Sequence, residues 1–388
     1  MTDVDAALVA RVRARLAVEV REPTPQAVAE ALGLEAGLRG SGTVLGVVDA
    51  LQRERRGAGE LQPLLDDPQV TDVVVNGPHA VHVDRGHGLE RVDLDFADDV
   101  AVQRLARRLA TQAGRRLDDA SPWVDARLPD GTRLHAVLAP LVRPGTSISL
   151  RVPARRSFTL EALVAAGGVH PEAAEVLRRL VAARAAFVVS GGTGTGKTTL
   201  LSTLLGLVPP QERLVLVEDA AELVPEHPHV VALEARPANV EGAGRVTLRD
   251  LVRQALRMRP DRLVVGEVRG GEVVDLLAAL NTGHEGGCGT VHANSAADVP
   301  ARFEALGVAG GLARDAVHSQ LAAGVQAVVH LRRGRDGARR VHEVGVLLAD
   351  GASGRVGCVR AAGLVDGRWV AGPAHERWAG LVEGEASP

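Results

Sequence analysis

The chain has 388 residues, a formal net charge of −3, and 46% hydrophobic and 24% charged residues. That balance excludes a disordered chain and gives enough apolar material for two cored domains. It also argues against attachment to nucleic acid by bulk positive charge, which leaves a basic footprint.

Residues 1–60 read as a helical segment. Leu8, Val12, Leu16 and Val20 recur every four residues, and a second short helix follows over 44–55. The first ten residues carry Asp3 and Asp5 without a basic stretch, so no secretory signal is expected. No apolar run approaches the ~20 residues a membrane span needs, and the reading is a cytoplasmic, soluble chain. Residues 61–154 read as a smaller α+β domain. Short β-like runs at 70–75, 80–84 and 89–94 precede a helix over 97–113. A hairpin then turns at Pro129-Asp130-Gly131, and a last strand covers 148–152. Residues 155–165 read as a linker, with a hinge near Arg155 to Leu160.

Over 166–345 strands and helices alternate, which predicts an α/β domain with a mainly parallel sheet covered by helices. Thr247 and Asp250 have capping-box spacing. After Val325 the turns Asp336-Gly337, Asp350-Gly351 and Asp366-Gly367 separate β-like runs, and 346–388 reads as a hairpin-rich tail. Cys288 and Cys358 form no CxxC pair and read as inert small side chains.

The phosphate-binding pattern is Gly191-Gly192-Thr193-Gly194-Thr195-Gly196-Lys197-Thr198, after an apolar strand and before a helix. Glycines let successive N–H groups face phosphates, and the helix start adds its positive dipole end. Lys197 would reach the β- and γ-phosphates and Thr198 would offer its hydroxyl to Mg²⁺. Of the 45 basic residues 44 are arginine, and Lys197 is the single lysine. Compositional drift toward arginine has spared the one position where a compact ammonium is required.

A phosphate loop needs an acid near the metal and a group that activates water. Two apolar runs end in acids: 214–217 at Glu218, and 263–266 at Glu267. Such strand ends are where open α/β sheets bind ligands, although a surface ion pair of Glu267 with Arg269 is the alternative. Downstream lie Thr282 to Gly287 with His284, and Thr290 to Ser295 with His292. No third ligand at usual spacing accompanies the two histidines, so a metal pair is not supported.

In this combination the chain resembles the secretion-ATPase superfamily, which drives type II and type IV secretion and pilus assembly. Walker A matches Gly191 to Thr199. The Asp box is similar to Val217 to Leu223, Walker B to Arg257 through Arg269, and the His box to Thr282 through Ser295. Thr71 to Pro78 and Ser121 to Leu138 resemble the family's N-terminal domain, and the CpaF-like or TadA-like motors of tight-adherence pili are the nearest branch. The resemblance implies a RecA-like ATPase domain after the α+β domain, and a homo-hexamer that binds ATP and Mg²⁺ between the two domains. It implies that Glu267 polarises water, that Glu218 assists metal or water, and that His292 sits near the γ-phosphate. Arg127, Arg133 and Arg151 would reach phosphate oxygens, for which the planar guanidinium fork is suited. It also implies an inner-membrane platform protein as partner, at the cytoplasmic face of the membrane, without direct nucleic-acid binding. A conjugative DNA-transfer ATPase and a nucleotide-gated scaffold with negligible turnover are the competing readings.

Overall fold

The computed structural model describes residues 11, 12, 15, 25–33, 44, 47, 48, 57–86, 88–153, 157–236, 238, 243–283, 285–334 and 336–383. Most of the two N-terminal helices expected over 6–20 and 44–55, the first two residues of the expected hinge, 155 and 156, and His284 lie outside them. A helix the periodicity did not predict, α1 (Pro25–Gly33), starts on a proline, whose missing N–H costs nothing in a first turn. The chain divides into two compact units, Met1–Pro153 and Ala154–Pro388.

The first unit holds the short helix α2 (Gln62–Asp66) and a six-stranded antiparallel sheet. Its strands are β1 (Asp72–Asn76), β2 (Val81–Asp84), β3 (Leu89–Arg91), β4 (Trp123–Arg127), β5 (Arg133–Val137) and β6 (Ser147–Arg151), in the order β3-β2-β1-β6-β5-β4. One face is apolar: Val73, Val75, Val81, Val83, Leu134, Ala136, Ile148 and Leu150 pack in one core with α3 (Asp99–Gln112). Asp98 caps α3 by accepting the Ala101 N–H. The other face carries the alternating polar residues.

The second unit is built on nine strands: β7 (Phe187–Gly191), β8 (Leu214–Glu218), β9 (Val230–Glu234), β10 (Arg262–Val268), β11 (Cys288–His292), β12 (Ala327–Arg333), β13 (Arg339–Ala349), β14 (Val356–Val365) and β15 (Arg368–Ala371). Their order is β15-β14-β13-β12-β7-β11-β10-β8-β9. From β12 to β9 every pairing is parallel, and from β12 to β15 every pairing is antiparallel. Both faces are covered. Helices α4 (Leu160–Ala165), α5 (Pro171–Ala182), α6 (Lys197–Leu205) and α11 (His375–Glu383) pack with Phe187 and Val189. Helices α7 (Leu248–Ala255), α8 (Glu272–Leu280), α9 (Val299–Ala309) and α10 (Arg314–Gly324) pack with Val188 and Val265. Burial on two sides is why β7 and β8 are apolar without alternation. Thr247 and Asp250 form the reciprocal capping box at the start of α7.

Two boundaries differ from the sequence reading. Residues 160–165, assigned to the linker, are α4, whose start Thr159 caps through its side chain. The tail set to begin at 346 is not separate: β13 runs through that point and β14 pairs along it. Trp369 and Trp378 are buried in the same core as the β7 strand, and Trp369 stacks on His170 with ring centres 6.5 Å apart. Parallel pairing of β12 with β7 is what draws these hairpins into the main sheet.

Candidate active site

The phosphate loop leaves the end of β7, with Gly191, Gly194 and Gly196 at φ of 152°, 70° and 92°. A Cβ on Gly191 would stand 2.7 Å from both the Leu331 carbonyl oxygen and Thr195 Oγ1, so only glycine fits there. Thr195 Oγ1 donates to the Gly192 carbonyl at 2.9 Å and closes the loop. Lys197 opens α6 and is 7% exposed. Its Nζ donates to the same Gly192 carbonyl at 2.9 Å. Burial pushes the ammonium pKa down, against the charges of Glu267 and Glu222. Gly192, Thr193 and Gly194 are exposed, and Thr198 and Thr199 are half-buried in the first turn of α6.

Strand order brings the next groups together. β11 lies between β7 and β10, with His292 opposite Gly191. His292 Nδ1 stands 3.5 Å from Lys197 Nζ, and Nε2 stands 2.7 Å from Glu267 Oε1. Burial and the Lys197 charge push the imidazole pKa down, against the pull of Glu267. A neutral ring that donates Nε2–H to the carboxylate leaves Nδ1 as the acceptor facing Lys197. Three of the residues singled out in the sequence thus form one row, Lys197–His292–Glu267.

Glu267 reaches His292 through an irregularity in β10. Val265 pairs with Gly289 and Val268 with Val291, so Gly266 and Glu267 together face Thr290. Thr290 Oγ1 donates to the Gly266 carbonyl at 2.6 Å. This extra residue re-aims the side chain that follows it. Gly266 is needed for a second reason: a Cβ there would lie 2.6 Å from Glu218 Cγ. The ion pair weighed against a functional Glu267 also exists. Arg269 Nη2 is 3.2 Å from Glu267 Oε2, and Arg269 Nε is 2.9 Å from Asp219. It occupies the second carboxylate oxygen and leaves the His292 contact intact.

Glu218, at the end of β8, is 3% exposed. Its Oε1 accepts the N–H groups of Glu222 and Leu223, each at 3.0 Å, and its Oε2 has no hydrogen-bond partner. Burial raises its pKa to about 7 despite those two donors. Glu272, which sequence reasoning passed over, accepts the Arg269 and Gly270 N–H groups at 2.7 Å and fixes the turn after Glu267. An acid in the first turn of a helix was its only signal.

The His box is two places. Its second half ends β11 beside the phosphate loop, whereas Thr282 to Gly287 precede β11, where Gly287 accepts the Phe187 N–H. Gly287 is thereby a strand's length from the loop. Arg127, Arg133 and Arg151 belong to the other unit. Register places Arg127 opposite Arg133, Arg133 opposite Arg151, and Arg151 opposite Asp72. Arg127 Nε donates to the Gly131 carbonyl at 3.2 Å. Three arginines thus stand side by side across adjacent strands, with Asp72 facing the last of them.

A family model described as type II/IV secretion system protein matches residues 54–370. The chain belongs to that family. A Mycobacterium tuberculosis protein named for conjugal transfer is 60% identical over 326 residues, covering 82% of this chain and 92% of the relative. The type IV secretion system protein PtlH of Bordetella pertussis is 33% identical, covering 72% of this chain and 91% of PtlH. The Legionella pneumophila ATPase DotB shares the fold, with a TM-score of 0.54 at 19% identity over 74% of this chain and 79% of DotB. Among the described residues of this secretion-family chain, no helix is long and apolar enough to cross a membrane.

Proposed function

We propose that this chain is an ATP-hydrolysing motor that powers assembly of a tight-adherence (Flp/Tad-type) type IV pilus, or type II/IV protein secretion. The Lys197–His292–Glu267 row carries the reading, because it joins a phosphate-holding cation to a carboxylate through one imidazole. In this mechanism the N–H groups of the Gly191–Thr199 loop and Lys197 hold the β- and γ-phosphates. Glu267 accepts the hydrogen bond of the attacking water and orients it, and His292 registers whether Lys197 is engaged by phosphate. Arg127, Arg133 and Arg151 serve phosphate oxygens.

The residues suit Mg²⁺. Among the described residues no group of three His, Cys, Asp or Glu is placed to hold a metal. Mg²⁺ does not need one, since it takes phosphate oxygens, waters and one or two protein ligands. The Thr198 hydroxyl and Glu218, with its unpartnered Oε2, are the groups we assign to it. When bound, the ion neutralises charge on the phosphates.

The motor would work as a homo-hexamer at the cytoplasmic face of the membrane, pressing on a membrane platform protein. Conjugative DNA transfer is the second reading, favoured by the name of the mycobacterial relative. The charge of −3 weighs against direct DNA contact. Turnover stimulated by added DNA would favour the second reading. Loss of surface filaments on deletion of the gene would favour the first. The decisive chemical test is phosphate release by the parent and by Glu267→Gln. We expect a fall of about 10²–10⁴-fold in the variant. A variant that hydrolyses at the parental rate refutes the mechanism, and a parent without turnover leaves only a nucleotide-gated scaffold.

A further inference from the structure

The site described so far leaves one buried polar pair beside the phosphate loop without a role. Ser190 is the residue before Gly191 and is fully buried on β7. His330 faces it from β12 and is 3% exposed. Ser190 Oγ and His330 Nδ1 are 2.9 Å apart. The nearby Asn294 backbone favours the protonated ring. Burial nevertheless holds the imidazole below its ordinary pKa, and Glu343, His342 and Arg332 are the charged or titratable groups around it. A neutral ring with its proton on Nε2 accepts the Ser190 hydroxyl at Nδ1.

The placement is specific. The β12–β13 ladder shifts register between His330 and Leu331, with His342 as the extra residue on β13. Asn294 is two residues beyond His292. One ring thus fixes the root of the phosphate loop, where Ser190 and Gly191 pair with Val291 and His292 of β11. Two polar groups buried in an otherwise apolar sheet cost stability unless each is paired, and this pair satisfies both. Valine or alanine at both positions would pack the same strands without the polar cost.

We propose that His330 is a positioning residue for ATP hydrolysis, holding Ser190 at the root of the phosphate loop so that the paired end of β11 keeps His292 in line between Lys197 and Glu267. The proposal rests on the ATPase reading above. His330 touches neither nucleotide nor water in this scheme. It therefore acts on turnover through His292 and leaves phosphate binding by the loop intact.

The test measures phosphate release and binding of a fluorescent ADP analogue with Mg²⁺, in the full-length parent, His330→Ala, His330→Gln and Ser190→Ala. Glutamine keeps one acceptor and one donor. We expect kcat to fall at least tenfold in His330→Ala with ADP affinity within threefold, a smaller fall in Ser190→Ala, and recovery of most of the rate in His330→Gln. Thermal melting of each variant separates lost rate from lost fold. If His330→Ala does not fold, the Ser190→Ala and His330→Gln rates decide. An active parent with unchanged kcat in folded His330→Ala and Ser190→Ala overturns this inference alone. Equal loss of rate and of ADP affinity also overturns it. A parent without turnover overturns it together with the ATPase reading.

Discussion

Lys197 shows what one residue can disclose. Its retention among 44 arginines marks a place where a compact, flexible cation is required, and the structure puts it inside the glycine loop on the Gly192 carbonyl. That bond is a stand-in that phosphate oxygens would replace. Lys197→Ala should weaken ATP binding by about one to two orders of magnitude, the worth of a charged hydrogen bond at a half-dry site. Equilibrium titration with an ATP analogue checks this, and unchanged affinity would remove the phosphate-loop assignment. Glu218 makes a different prediction. Its folded pKa is about 7 against an ordinary 4.5, so between these values the folded chain holds a proton that the unfolded chain has released. Stability is therefore greatest below 4.5 and declines as pH rises through 7, by about 3 kcal/mol in all. Glu218→Gln removes that loss. Without nucleotide or metal, the variant should melt several degrees above the parent at pH 8, with the gap closing toward pH 5. Equal melting at pH 8 would show that the buried carboxylate has found a partner.

At the scale of elements, the strands that build the site were legible because each is an apolar run closed by a turn signal or an acid. β7, β8 and β10 were read this way, and so was the fall of Glu218 and Glu267 at their ends. The irregularity at Gly266-Glu267 was not legible. It sits where Thr290 bonds the Gly266 carbonyl and Glu218 fills the space of the missing Cβ, contacts from other strands that no single run of sequence encodes. The place of β12 was missed for a related reason. Read forward, 327–371 is a set of hairpins. Only the partner strand β7 reveals that the first of them continues a parallel sheet and brings His330 to Ser190. The arginine row lies between these cases. Each arginine was chosen by resemblance among many indistinguishable ones, whereas their alignment across β4, β5 and β6 follows from register. If the row serves phosphate oxygens, neutralising one member should cost turnover far more than it costs the fold. Arg133→Ala, at the centre of the row, should lower turnover at least tenfold while its melting temperature stays within a few degrees of the parental value. A drop in both would make the row structural, and a change in neither would remove these arginines from the phosphate assignment.

At the scale of the molecule, the nine-stranded sheet means that residues 154–388 form one cored body, with the phosphate loop at the C-terminal ends of its parallel strands. A rigid sheet edge that presents Lys197, His292 and Glu267 in a row can detect nucleotide. To do mechanical work, that detection must be passed to other subunits, since a single chain that opens and closes alone has nothing to push against in a directed order. The homo-hexamer proposed above would carry such coupling, and the coupling can be read without any knowledge of cargo. When parental chains are mixed with Glu267→Gln chains, which bind ATP but do not turn it over, independent subunits lose activity in proportion to the fraction of variant. Coupled subunits lose it faster, because one stalled site holds its neighbours in the ATP-bound state. We expect an equal mixture to retain well under half of the parental rate, and the mass of the assembled particle to be six times that of the chain. A straight line from full to zero activity across the mixing series would show that the subunits fire alone, and a hexameric motor would then be excluded even if every residue of the site acts as assigned.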